Sequence, residues 1–277
     1  MKTKEELITA IAALPIYEYR EVALKVPAPE VQVDQGAVAA SVPDQYRDVP
    51  ANWTAITEIG SNNPICFASN RYKLMQMFEA FNPLVQAHAD VNGKLAVNRG
   101  FAVLDLFPVD ESMTVPGPNG AIYRIGMSAY NSVDRTSALM IRFSVTDGNR
   151  IITFPSNVAT YYQAHVGAVK EKTDKYMDLM VKIKEFWPQV VGDMSNTEVT
   201  KDLFASITKD FKTDPQIIKA LQLEIDSGAK YSLWSMMLEI YDRMGRKHSK
   251  SDVHLRKRQD EFIGSIMDWA KMMVVFG

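Results

Sequence analysis

Cations and aromatic side chains are the residues of this sequence whose types and spacing suggest chemistry, namely the binding of a polyanion. Residues Arg243 to Arg258 contain seven lysines and arginines but a single carboxylate, Asp252. Guanidinium and ammonium groups bind phosphates, and tyrosine rings stack on nucleic-acid bases. The candidate phosphate contacts are Arg124, Arg142, Arg150, Arg246, Lys247, Lys250, Arg256, Lys257 and Arg258, and the candidate stacking residues are Tyr123 and Tyr130.

These residues have a second interpretation, in which they only keep a folded surface hydrated. Single arginines on a strand face commonly pair with carboxylates, and most tyrosines at such spacing lie at the boundary of a core. His248 and His254 stand inside the basic segment. This position suits a surface that faces phosphate better than a metal site, because no cysteine or acidic partner accompanies them. The sequence leaves both interpretations of the cations open.

No catalytic constellation is recognisable. The sequence lacks a Walker loop, a GxGxxG segment after a strand, an HExxH motif and a GxSxG motif. Asp105, Asp110 and Glu111 cluster at the end of a predicted strand and resemble a magnesium site, although such carboxylates are more typical of a hydrated hairpin. We therefore expect a protein that is not an enzyme and that uses no cofactor or metal.

The elements that must position the arginines and tyrosines of the predicted sheet lie between Ala121 and Lys170. Period-2 alternation predicts a strand over Ala121–Tyr130 and a second strand containing Leu139, Ile141, Phe143 and Val145, and a short apolar run predicts a third over Arg150–Phe154. A long helix is then expected from Ser156 to Trp187. This β-β-β-α core predicts an α+β fold, in which an antiparallel sheet has one face covered by helices and a mixed face that bears arginines.

The rest of the chain is predicted to be mostly helical, with one further strand and one extended arm. Thr3 and Glu6 predict a capping box at the start of the first helix. We expect three segments: a helix and arm over residues 1–50, an α+β core over 51–190, and a helical region with the basic segment over 191–277. The expected elements are helices Thr3–Leu14, Tyr72–Ala89 (kinked or divided by Pro83), Thr197–Phe211, Asp214–Ser227, Tyr231–Met244 and Gln259–Val275, a turn over Asp90–Lys94, a strand over Leu95–Phe107, a hairpin loop over Pro108–Asn119 and the arm Pro27–Pro50.

Composition bounds the class of protein. A net charge of −2 on 277 residues excludes a chain that is basic throughout, but not a basic face on a neutral body. Cys66 is the only cysteine, which excludes an internal disulfide and fits a reducing, cytoplasmic setting. The acidic start of the chain is a poor secretory signal, and no run of 18 apolar residues predicts a membrane helix.

From about Ser69 to Ala270 the chain resembles the phage/plasmid-like protein family, a domain of unknown function. The segment Asn131–Arg135 matches that family's Asn-Ser-His-Asp-Gly motif at the Asn, Ser and Asp, and His165–Gly167 matches its His-x-Gly. Arg150 to Asn157 resembles its arginine strand that ends near an Asn, and Leu233-Trp234 resembles the start of its Leu-Trp segment. Val133 and Arg135 depart from the motif, and the family's terminal Asn and Thr-Glu are not kept.

The β-β-β-α core is also similar in architecture to single-strand annealing recombinases of the Red-beta, RecT and Erf type. That likeness implies a DNA-binding phage or plasmid protein that holds single-stranded DNA in a positively charged groove and promotes annealing during recombination. It implies a homo-oligomer, as a ring or filament, in the cytoplasm of a host bacterium. The alternative is a non-enzymatic oligomeric protein with a structural or interaction role in a phage, whose arm would hold subunits together.

Overall fold

The fold is described from a computed structural model of the chain. The structure describes residues 1–27, 46–61, 64–69, 72–133, 139–154, 160–163, 184–185, 187–209, 215–247, 255–264 and 266. This part is an α+β fold with two antiparallel sheets and a helical C-terminal part, which confirms the predicted class. No helix among these residues is long and apolar enough to cross a membrane.

Among the described residues, the strands form a sheet of three and a sheet of seven. The smaller sheet has the order β1-β2-β3. The larger has the order β10-β8-β7-β5-β4, with β6 beside β7 and β9 beside β8. The strands are β1 Tyr17–Pro27, β2 Tyr46–Glu58, β3 Pro64–Ser69, β4 Val91–Asn98, β5 Phe101–Pro108, β6 Thr114–Pro116, β7 Ile122–Ser132, β8 Leu139–Thr146, β9 Ile151–Thr153 and β10 Thr160–Gln163.

The helices pack onto the larger sheet and onto one another. In the described part they are α1 Lys4–Ala12, α2 Met77–Gln86, α3 over 187–196, α4 Lys201–Lys209, α5 Pro215–Asp226, α6 Leu233–Lys247 and α7 over 255–264. Short 3₁₀ turns lie at Glu111–Met113 and Pro118–Gly120. The predicted capping box of α1 is confirmed: the Glu6 N–H donates to Thr3 Oγ1, and the Thr3 N–H donates to the Glu6 carboxylate.

The predicted apolar face of the larger sheet is confirmed. Ile125, Met127 and Ala129 of β7 are fully buried, and the alternate residues of β8 lie beside them in the main hydrophobic core. Helices α1 and α2 contribute to the same core through Leu7 and Phe81. This cluster also contains Trp187 and Trp234 from the C-terminal half of the chain, so the two halves share one core.

The opposite face of the sheet is also covered at its centre. Ser128 of β7, Ser144 of β8 and Thr153 of β9 are completely buried, although alternation alone places them on the polar face. Helix α7 lies over them through Arg256, whose guanidinium reaches Ser128 and Thr153. The face that was expected to expose arginines is therefore closed over its middle strands by the C-terminal helix.

Several predicted elements differ from those observed. The helix expected from Ser156 is wrong at residues 160–163, where β10 pairs with β8 through Thr160↔Arg142 and its neighbours. Since β9 covers only the Ser144–Thr146 end of β8, the other end leaves backbone groups that β10 satisfies. Residues 28–45, in the predicted arm, and 164–183, in the predicted helix, lie outside the described residues.

The N-terminal half holds the other corrections. The strand expected over 95–107 is two strands, joined by a tight turn in which Arg99 and Gly100 have φ of 37° and 81°. The turn expected over 90–94 is instead largely the start of β4, and the end of the predicted arm, residues 46–50, belongs to β2. Helix α2 is shorter than expected, and Pro83 does not divide it.

Candidate nucleic-acid interface

Arg256 lies in a buried network of charged and hydroxyl groups between α7 and the larger sheet. Its Nη2 is 3.4 Å from Asp105 Oδ1 and 3.1 Å from Ser128 Oγ, and its Nε is 3.4 Å from Asp260 Oδ1. Its Nη1 donates to the Ile151 carbonyl. Because these groups occupy the guanidinium, and the residue is 7% exposed, Arg256 is not placed as a free phosphate contact.

The electrostatics of the network follow from its burial. Desolvation alone would lower the pKa of Arg256, but the carboxylates of Asp260 and Asp105 raise it above its ordinary value. Burial raises the pKa of Asp260, and the charge of Arg256 opposes that effect. The network therefore keeps the cation of Arg256 inside the protein, where its partners hold α7 against the sheet.

The two tyrosines that were expected to stack on bases are buried. The Tyr130 hydroxyl donates to Asp260, and desolvation raises the pKa of Tyr130 well above its ordinary value. The Tyr123 ring packs against Trp187 and Trp234, with ring centroids 5.4 and 5.8 Å apart. Both residues are about 2% exposed, so neither ring is placed with a face open to a base.

Arg124 and Arg150 are engaged within the fold. Arg124 Nη1 donates to the Pro108 carbonyl at 2.8 Å. Arg150 donates twice to Asp242, at 2.9 and 2.6 Å, and once to Asp147 at 2.8 Å. The hydrogen bonds to Asp242 are the main reason that the pKa of Arg150 lies above its ordinary value. Arg150 therefore joins the β8–β9 turn to α6, and it is not placed as a free phosphate contact.

Arg142, like Arg124, makes no ion pair in the part of the chain that the structure describes. Its guanidinium carbon lies 5.7 Å from the centroid of the Tyr130 ring, a cation–π distance. The side chain is half-buried, and its Nε has no acceptor. Arg142 therefore remains a candidate phosphate contact. Its guanidinium lies over the ring of Tyr130, which is itself buried.

Exposed cations flank the contact between α6 and α7. Gln259 Nε2 donates to the Tyr241 carbonyl at 3.0 Å and joins the two helices. Arg258 precedes this contact on α7 and is exposed, as is Lys257. Arg246, in the last turn of α6, is 72% exposed and lies 3.7 Å from Glu239. We call Arg246, Lys257 and Arg258 the C-terminal cation cluster.

Arg243 and Arg256 of the basic segment are described and do not join this cluster. Arg243 is bound by Glu224 and Glu239, each at 2.8 Å. The side chain of Lys247 and the whole of Lys250 lie outside the described residues. The sequence predicted the cations themselves, but it did not distinguish the exposed members from Arg243 and Arg256, whose partners come from distant parts of the chain.

A groove of about 670 Å³ opens beside the same helix junction. Apolar side chains form its walls, Lys2 and Lys94 are exposed at its rim, and Asp105 lies on its floor. Sequence reasoning missed this site, because an isolated bridge between Lys2 and Gly93 brings the N-terminus to β4, and no local pattern signals that contact. The residues that line the groove include Leu95, Ala96, Val103, Asn149, Ile151, Tyr241, Leu255, Arg256 and Gln259.

The carboxylates considered for magnesium do not form a cation site. Asp110 Oδ1 accepts the Ser112 N–H at 2.8 Å and caps a 3₁₀ turn that contains Glu111, whereas Asp105 is buried with Arg256. Within the described ranges, no group of three or more His, Cys, Asp or Glu side chains is placed to hold a metal ion.

Comparison with known proteins gives no match. No protein-family model, curated protein or solved structure matches the chain. The resemblance to the phage/plasmid-like family and to the annealing recombinases stays a prediction from short motifs and strand order.

Proposed function

We propose that this protein binds single-stranded nucleic acid through the C-terminal cation cluster and the adjacent groove, without a covalent step. The observation that carries the proposal is the exposure of Arg246, Lys257 and Arg258 around one helix–helix contact. Arg243 and Arg256, in the same stretch, are held by carboxylates. Cations that make no strong internal ion pair are the ones that a polyanion can neutralise.

The fixed position of α7 supports the proposal. The buried ion pairs of Arg256, together with the Gln259 contact, attach this helix to both the sheet and α6. The neighbouring cations, Lys257 and Arg258, therefore project from a rigid support. Binding then costs less side-chain and loop entropy than it would on a mobile tail.

The shape beside the cluster supports a single strand over a duplex. The groove has apolar walls and a cationic rim formed by Lys2 and Lys94. An unpaired base can enter such a groove while its phosphate stays at the rim, whereas a base inside a duplex is stacked and paired. Annealing, recombination and a phage or plasmid origin extend this proposal on the strength of the predicted resemblance.

A binding titration tests the proposal. We expect a fluorescein-labelled single-stranded oligonucleotide to bind at ~50 mM salt and to lose affinity steeply by ~200 mM salt, because binding releases counterions. The duplex of the same sequence is the control and should bind more weakly. Absence of binding at the lower salt concentration would remove the proposal.

A second candidate function, oligomeric interaction, is favoured by two exposed isoleucines on the smaller sheet. Ile16 and Ile59 are 60% and 56% exposed, and the Ile59 N–H donates to the Ile16 carbonyl at 2.9 Å, so they lie side by side at the end of the β1–β2 ladder. Neighbouring exposed apolar side chains are typical of protein contacts. If a homo-oligomer forms here, Ile16→Ser with Ile59→Ser should lower the native mass, whereas Ile122→Ser on the other sheet should not.

A further inference from the structure

We infer that the groove holds one base of the bound strand and selects bases that carry an exocyclic amino group, with Asp105 as the residue that determines specificity. The inference rests on the proposed function, since it names the part of the strand that enters the groove. Two features of the groove support it: the hydrogen-bond acceptors on its floor and the positive charge of the side chains at its rim.

One carboxylate oxygen of Asp105 is available to accept a hydrogen bond from a ligand. The side chain is about 5% exposed and lines the groove. The contacts of the described residues, from Ser128 Oγ and Arg256 Nη2, all go to Oδ1. Oδ2 makes none of these contacts and remains an acceptor for a ligand. A carboxylate that is held in place by a hydroxyl and a guanidinium is a preorganised acceptor.

Gln259 adds a second acceptor at the same groove. Its amide N–H is used by the Tyr241 carbonyl at 3.0 Å, which fixes the side chain and leaves Oε1 without a described contact. The guanidinium of Arg256, between these two residues, is already occupied by Asp105, Thr153 and the Ile151 carbonyl. Beside the occupied guanidinium, Asp105 and Gln259 therefore present acceptors, which suit a ligand that brings N–H donors.

The positive charge at the rim determines which class of N–H donor is favoured in the groove. Lys2 and Lys94 are exposed there, and their positive charge disfavours a ligand that is itself a cation, such as an arginine or lysine side chain. A neutral amino group on a flat ring, joined to a phosphate, satisfies both the floor and the rim. A volume of about 670 Å³ lies in the range of small-ligand sites, and the apolar side chains of Ala96 and Leu255 in its lining suit the faces of a base.

The matched probes are single-stranded oligo(dC) and oligo(dU) of equal length, which differ at ring position 4 by an amino group against a carbonyl. The wild-type protein should bind oligo(dC) about tenfold more tightly, because the cytosine amino group donates to Asp105 while the uracil carbonyl meets an acceptor. Asp105→Asn supplies an amide N–H, and it should bring the two affinities together. Lys73→Glu, an exposed change on another part of the chain, should keep the preference.

The outcomes separate this inference from the proposed function. Equal binding of both oligonucleotides by the wild type overturns the base selection and leaves the proposed function standing, whereas binding of neither removes both. If N-acetyl-arginine amide abolishes the preference by competition, the groove belongs to a guanidinium ligand and the inference is wrong. Circular dichroism checks whether Asp105→Asn folds, and the wild-type comparison decides the question without any variant.

Discussion

At the scale of the residue, the buried cation of Arg256 explains how the C-terminal helix is held on the sheet. Asp105 and Asp260 lie on either side of it, at 3.4 Å each. Removing one partner of a buried ion pair is strongly destabilising, because the remaining charges keep their desolvation cost without compensation.

Arg256→Met should therefore lower the free energy of unfolding by about 3–5 kcal/mol, measured by urea denaturation. Arg258→Met, two residues along the same helix but exposed, is the matched control and should change it by less than about 0.5 kcal/mol. Equal effects of the two substitutions would show that Arg256 does not act through its buried partners.

His88 gives a second prediction at this scale, in the acidic range. It is 3% exposed, and desolvation, with a smaller effect of the Lys4 charge, lowers its pKa from 6.5 to about 4. The unfolded chain binds a proton at a higher pH than the folded chain does. The stabilisation is therefore present above pH ~6.5 and is lost as the pH falls towards ~4.

Between pH 7 and pH 5 this difference should cost about 2 kcal/mol of the free energy of unfolding. His88→Gln cannot take up the proton and should lose less stability over the same interval, measured by urea denaturation at each pH. Parallel curves for the two proteins would contradict the assignment of the lowered pKa to His88.

Residue types predicted only part of the candidate site. The sequence shows Arg246, Arg256 and Arg258 as equivalent cations, yet one of them is buried. Alternation places Ser128 on the polar face, but it cannot reveal that α7 covers that face, because the partner of Asp105 is 151 residues further along the chain. Contacts at that separation leave no local pattern.

At the scale of the element, local sequence patterns predicted the central strands β7, β8 and β9 and the start of α1. The apolar faces of β7 and β8 and the capping box of α1 follow from local spacing. Strand β10 does not, because its four residues, Thr160–Gln163, are decided by the free edge of β8 rather than by their own sequence. Tertiary context overrides propensity in such short segments.

Replacing two glycines by alanine should change the stability in opposite directions, because one of them is tightly packed and the other is not. At Gly126 of β7 a Cβ would overlap the Leu106 carbonyl oxygen and the Phe107 ring, whereas at Gly192 of α3 it would meet nothing within 4 Å. Gly126→Ala should destabilise the protein by about 2 kcal/mol through overpacking. Gly192→Ala should stabilise it by about 0.5–1 kcal/mol, because alanine is the better helix former.

Thermal and urea unfolding of the two variants check this pair of predictions. A stable Gly126→Ala protein would mean that β5 and β7 separate more easily than their packing indicates. A destabilised Gly192→Ala protein would mean that the helix surface near residue 192 is covered.

At the scale of the whole molecule, positive and negative side chains nearly balance. The chain carries 31 lysines and arginines against 33 aspartates and glutamates, so its net charge gives no general attraction to a polyanion. Nucleic-acid binding by this protein therefore requires cations that are concentrated at one place on its surface. The C-terminal cation cluster is the group of this kind that the described contacts single out.

The most direct test measures how binding of a single-stranded oligonucleotide depends on salt. Arg246→Glu, Lys257→Glu and Arg258→Glu together should lower the affinity and reduce the slope of log K against log salt by about 2, since each single-strand phosphate contact contributes about 0.7. The matched control reverses three exposed lysines on other parts of the chain, Lys73, Lys219 and Lys230, with the same change in charge, and it should keep the wild-type slope. Equal loss in the two triple variants, or no loss in the first, would contradict the claim that the C-terminal cation cluster binds the strand.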